Sequence, residues 1–240
     1  MPKPVKQAGI LALDAERERL KTPRAAAVAG ILFALLFGVA MTLLRFSMPE
    51  SLTGEATATS LEGNAMAVTV ALTMIPFAGI AFLWFIGVIR DRLGALEDQL
   101  ISTVLFGSGL LFLGMTFVAA AISGGIVAGY DLAAEQLVSG GVLTFGRAVM
   151  YTIMNVYAIR MAGVFMISSG TLWIRTGVMP RWLAFLTYGL ALVLLLTPNL
   201  SGWLVLAFPT WVLIISVFIL VRRPLSAQTL NAERERERGN

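Results

Sequence analysis

Cysteine and histidine are missing from the chain altogether. Their absence excludes disulfides, thiol nucleophiles, Cys/His zinc sites, histidine-ligated haem and histidine general bases. Charge is scarce too: 13% of residues are Asp, Glu, Lys or Arg, against about 25% in soluble domains. No phosphate-binding loop, dinucleotide fingerprint or zinc-protease helix occurs. The spaced glycines of GSGLLFLG at 107–114 lie inside an apolar run with no strand before them, which is the setting of helix packing. Nothing in the sequence calls for a metal or a cofactor.

Apolar residues make up 58% of the chain, and they fall in runs long enough to cross a hydrocarbon core about 30 Å thick. The expected fold is an all-α, polytopic membrane bundle of six transmembrane helices, at about 25–44, 65–89, 100–130, 147–175, 182–197 and 203–221. Residues 1–24 form an N-terminal tail, 25–221 the membrane domain and 222–240 a charged C-terminal tail. The tail from Gln7 to Lys21 reads as a short surface helix broken at Thr22-Pro23. Its polar start and the lack of a small-x-small site read as an uncleaved anchor, not a signal peptide.

Orientation follows from the positive charges. Lys3, Lys6, Arg17, Arg19, Lys21 and Arg24 precede the first span; Arg90 and Arg92 follow the second; Arg175 and Arg181 flank the fourth connection; Arg222, Arg223, Arg234, Arg236 and Arg238 follow the sixth. Six crossings place all of these on one side, and positive residues mark the cytoplasm, so both termini are expected inside. Only Arg45 and Arg147 fall on the opposite side, and Arg160 inside a span. Charges beside span ends speak for topology and anionic lipid, not for nucleic acid. The AERER runs at 15–19 and 232–236 read as solvated tails.

Two stripes of small residues mark helix faces. One is Ala26, Gly30, Ala34, Gly38 and Thr42; the other is Gly107, Gly114 and Ala121, continued by Gly125 and Gly129. Small residues let helices approach in lipid, so each stripe is either an internal packing face or a seam with another copy or partner. Pro76 and Pro209 are expected to kink their spans, each freeing a carbonyl one turn earlier. Thr69 and Thr73 are placed to re-satisfy the backbone near Pro76.

Arg160 is the sharpest candidate. It lies about 20 Å along the helix from both Arg147 and Arg175, and no Asp or Glu lies in any apolar core. An intramembrane Arg has to face protein, water or an anion. Either it anchors an anion or carboxylate in a cavity, with Tyr157 beside it, or it locks spans together through carbonyls or an acidic loop. Asp131 and Glu135 are its possible charge partners if 131–146 dips into the bundle; otherwise they are better placed for Arg147. Tyr151 and Asn155 share a stripe on the same span, about 140° from Arg160 on an ideal helix. Arg160, Tyr157, Asn155 and Tyr151 are therefore the candidate ligand-binding residues.

Two blocks, RLGALEDQLISTVLFGSGLLFLGMTFVAAAI at 92–122 and FMISSGTLWIRTGVMPRWLAFLTYGLALVLLL at 165–196, resemble uncharacterised multi-pass membrane proteins of actinobacterial type. The resemblance implies a bacterial plasma-membrane protein and carries no activity or site residue. Three functions stay open: binding or transport of a small anionic or amphipathic solute; a non-enzymatic membrane partner or assembly subunit, with lipid, another membrane protein or a second copy as partner; and an intramembrane enzyme acting on lipid. For the last, Asp131, Glu135 and Tyr157 supply groups but no convergent acid–base constellation.

Overall fold

A chain segment in lipid has to satisfy every backbone N–H and C=O internally, which restricts apolar runs of this length to helices. The computed structural model describes residues 4–47, 54–93, 99–139, 141–177, 179–196 and 202–221; the C-terminal AERER run and the Pro198-Asn199 turn lie outside them. The described residues form helices and contain no strand: α1 (Pro4–Ser47), α2 (Gly54–Leu93), α3 (Gln99–Ser139), α4 (Val142–Thr152), a π-helical segment (Ile153–Ala158) running directly into α5 (Ile159–Thr176), α6 (Arg181–Leu196), and a 3₁₀ turn (Gly202–Leu206) leading into α7 (Ala207–Val221).

Five stretches are long and apolar enough to cross a membrane: Arg24–Ser47, Gly63–Arg90, Leu100–Ala133, Val142–Thr176 and Trp203–Val221. They match five of the expected spans within a few residues. The sixth, α6, has 16 residues and rises only about 24 Å. Two hydrogen bonds between helices hold it in place. Tyr188 and Thr171 share one between their hydroxyls at 2.8 Å, and Trp211 Nε1 donates to Thr187 Oγ1 at 3.0 Å.

Helix α1 packs on α2 and α7, α3 lies against α2, α4 and α5, and α6 lies on α5. The centre is aromatic. Phe33, Phe82, Phe112, Phe165 and Phe208, one from each of five helices, meet with centroid distances such as 4.5 Å (Phe33–Phe82), 4.7 Å (Phe112–Phe208) and 5.6 Å (Phe82–Phe165). All five rings are at most 2% exposed. Lipid tails are as apolar as these side chains, so close packing and ring geometry drive the association, not water exclusion.

Several expectations shift. The backbone of α1 is helical through Pro23, although a proline inside a helix gives up one hydrogen bond and crowds the carbonyl four residues back. In α2 the non-helical residue is Asn64, at φ −124° and ψ 15°; Pro76 keeps helical dihedrals and sits on the exposed face. Thr73 and Thr69 donate to Thr69 O and Ala65 O, each at 2.9 Å, not to the Leu72 carbonyl that Pro76 leaves free. Pro209 lies in the first turn of α7, after the 3₁₀ segment, where a missing N–H costs little.

The two small-residue stripes also part ways. Ala26, Gly30 and Ala34 are buried, and Gly30 abuts Ser216 of α7 and Phe85 of α2. The α3 stripe faces outward instead. A methyl group added at Gly107, Gly114 or Gly125 meets nothing within 4 Å, and Ala121 is exposed. The inner face of α3 is built from Ser108, Phe112, Thr116, Ala119 and Ser123, all at most 5% exposed. Each of its three hydroxyls is satisfied within α3, on Leu105 O, Phe112 O and Ala119 O. A hydroxyl that bonds its own helix packs inside as readily as an alanine, so the polar face is the buried one.

Candidate functional site

Arg160 is the second residue of α5, immediately after the π-helical segment. In that segment the ladder slips by one residue: the Ile159 N–H donates to Met154 O, where α-helical register would use Asn155 O. Helix side chains lean toward the helix N-terminus, and Arg160 does so, its Nη1 donating to Val156 O at 2.9 Å. Among the described residues this carbonyl is the acceptor that Arg160 has. Of the acceptors considered, carbonyls or an acidic loop, it is a carbonyl of its own π-helical segment that takes this bond.

The neighbourhood of Arg160 is set by the short helix α6. A methyl group at Gly163 would stand 3.0 Å from Leu195 and 3.3 Å from Ala191 O, so α6 passes α5 closely there. The helix ends at Leu196, and Arg160 lies one turn beyond Gly163, at the level where α6 stops. The guanidinium carries five N–H donors, and a single bond to a carbonyl uses one. Arg160 is partly buried, whereas Tyr157, at 53% exposed, turns off the bundle. No hydrogen bond joins the two among the described residues.

Asp131 is exposed near the end of α3, just before a backbone break at Ala133 (φ −158°, ψ 60°). Glu135 follows that break, with its side chain outside the described residues. Residues 131–146 form the tip of an α3–α4 hairpin, turned at Gly141 with φ 70° and closed by Phe145 N–H donating to Gly141 O at 3.0 Å. The left-handed conformation there is one that glycine adopts without strain. Arg147, placed by the sequence on the side opposite the tails, is 8% exposed.

Tyr151 and Asn155 meet elsewhere. They line a cavity of about 40 Å³ together with Arg45 of α1, Ile75 of α2, and Thr116 and Ser123 of α3. Arg45 stacks over the Tyr151 ring at 5.1 Å from guanidinium carbon to centroid. Ser123 Oγ lies 3.0 Å from Ala119 O and 2.7 Å from Met150 Sδ. A water molecule occupies about 30 Å³ in the liquid, so the cavity is far too small for a metabolite. Arg45 is the site residue that sequence reasoning missed. It was counted only as a charge on the far side, and its neighbour Tyr151 is 106 positions away.

The four candidate residues therefore divide: Tyr151 and Asn155 at the small cavity, and Arg160 in α5, with Tyr157 facing outward. Asn155 and Tyr157 lie within the π-helical segment, Tyr151 just before it and Arg160 just after it. No family model matches the chain, and comparison with curated proteins and with solved structures finds no match either.

Proposed function

We propose that this chain is a six-span protein of a bacterial plasma membrane, with both termini cytoplasmic, that binds a small anionic amphiphile through Arg160. The observation that carries the reading is the Arg160 guanidinium. It sits within an apolar helix, bonded to one backbone carbonyl, one turn from the close passage of α6 at Gly163. Among the described residues the Val156 carbonyl is its acceptor, and a guanidinium has further donors to offer a ligand. A carboxylate or phosphate matches those donors, and an apolar body matches the helix faces around them. Binding accords better with the geometry than passage of a solute, because five phenyl rings fill the middle of the bundle.

The test is native mass spectrometry of the protein released gently from its own membrane. The expected result is a reproducible anionic small-molecule adduct that disappears in Arg160→Met and is partly retained in Arg160→Lys. An adduct unchanged in Arg160→Met removes the role assigned to Arg160. A second reading, a membrane partner or assembly subunit, is favoured by the outward stripe of Gly107, Gly114, Ala121 and Gly125. A co-released protein without any small-molecule adduct supports that reading. No observation favours lipid turnover; Asp131 and Tyr157 are both exposed and share no hydrogen bond.

A further inference from the structure

A groove of about 1000 Å³ runs between α1 and α2 on the outside of the bundle. Its walls include Leu32 and Leu36 from α1 and Thr73, Phe77 and Trp84 from α2, and Arg24 stands at one end. Phe77 and Trp84 are 59% and 67% exposed. Thr73, at the other end, turns its hydroxyl to its own helix, donating to Thr69 O at 2.9 Å. It offers the groove a methyl group. The groove is thus apolar along its length and cationic at one end only.

Its length excludes most occupants. It rises about 18 Å along α1 from Arg24 to Leu36 and about 22 Å along α2 from Thr69 to Trp84, more than the roughly 15 Å of one leaflet's hydrocarbon. A helix from a second copy needs a track across the full core of about 30 Å, and this one stops short of that. A water-soluble anion has nothing to fill the apolar part. We propose that the groove holds one anionic phospholipid, taken from the leaflet at the Arg24 end, with its phosphate against Arg24 and an acyl chain lying along Leu32 and Phe77. Trp84 lies beside the acyl chain, level with Gly30 and Leu32, since the adjacent Phe85 packs on Gly30. The site is separate from Arg160 and does not depend on what Arg160 binds.

The experiment uses the full-length protein in bilayers of zwitterionic lipid containing a small fraction of chain-brominated phosphatidylglycerol or, separately, chain-brominated phosphatidylcholine. Bromine quenches nearby indoles, and the Trp84 contribution is the difference between wild type and Trp84→Phe. The brominated anionic lipid is expected to be enriched about fivefold over the zwitterionic one at Trp84, the preference given by one basic residue at a membrane surface. Arg24→Gln removes the enrichment. Arg90→Gln, which alters a cation stacked on Phe106 at 4.7 Å outside the groove, leaves it in place. Equal quenching by the two lipids overturns the proposal, as does enrichment that survives Arg24→Gln. Protection of Trp84 from both lipids, with crosslinking between copies across the groove, overturns it in favour of a dimer.

Discussion

Gly30 has no room for a methyl group. A Cβ there would collide with Ser216 Oγ and stand 2.9 Å from the Phe85 ring, both fully buried. Overpacking of this kind costs about 1–3 kcal/mol, so Gly30→Ala is expected to lower the unfolding midpoint in detergent clearly. Ser216 Oγ is itself buried without a hydrogen-bond partner, and a buried hydroxyl without one is a liability. Ser216→Ala is therefore expected to be neutral or slightly stabilising. It should also relieve part of the Gly30→Ala defect, since it removes the nearer of the two obstructing atoms. Additive effects of the two substitutions in a double-mutant comparison would mean that α1 and α7 do not meet through this pair. Gly38, four and eight residues further along the same stripe than Ala34 and Gly30, meets nothing within 4 Å, and Gly38→Ala should leave the midpoint unchanged.

At the scale of the element, the π-helical segment 153–158 determines which residues of the fourth apolar stretch face each other. It takes up one extra residue in the ladder, so the helix before it and the helix after it are out of phase by about 100°. That phase brings Tyr151 under Arg45. A double-mutant cycle of Arg45→Met and Tyr151→Leu is expected to give a coupling of about 0.5–2 kcal/mol, the range of a cation–π contact. Deleting Ile153 returns the segment to α register and swings Tyr151 away, and the coupling should fall to near zero. Coupling that persists in the deletion variant would show that the register slip is not what aligns the pair. The spans were legible in the sequence because runs such as 203–221 carry no charge over a membrane's thickness. The slip was not, because one additional residue inside VMYTIMNVYAIRM changes no composition and blurs a periodicity already mixed by Tyr151, Asn155 and Arg160. Arg160 itself was legible as an isolated charge with carbonyls among its possible acceptors, but which carbonyl was not, since a backbone carbonyl has no letter in the sequence. The outward turn of the α3 stripe was hidden for a related reason: Ser108, Thr116 and Ser123 look polar in the sequence and bond to their own helix in the fold.

At the scale of the whole molecule, the crossing of α6 sets the side on which the C-terminal tail lies. Its rise of about 24 Å falls short of the hydrocarbon core of about 30 Å, yet its close passage along α5 at Gly163 and Gly170 keeps it at the same depth as a full span. If it did not cross, the five arginines from Arg222 onward would face outward, against the tendency of positive charge to stay in the cytoplasm. The lack of cysteine makes the question easy to settle, because each introduced thiol reports alone. In intact cells a membrane-impermeant maleimide is expected to label Ser51→Cys, Ser139→Cys and Ser201→Cys, while Ala8→Cys, Ala95→Cys and Ser226→Cys react only after lysis. Five crossings give a different pattern at two of these positions: Ser201→Cys becomes protected and Ser226→Cys becomes reactive from outside. Those two residues bracket α7, which has to cross in either case, so their exchange isolates α6 and moves the C-terminal tail to the other side of the membrane.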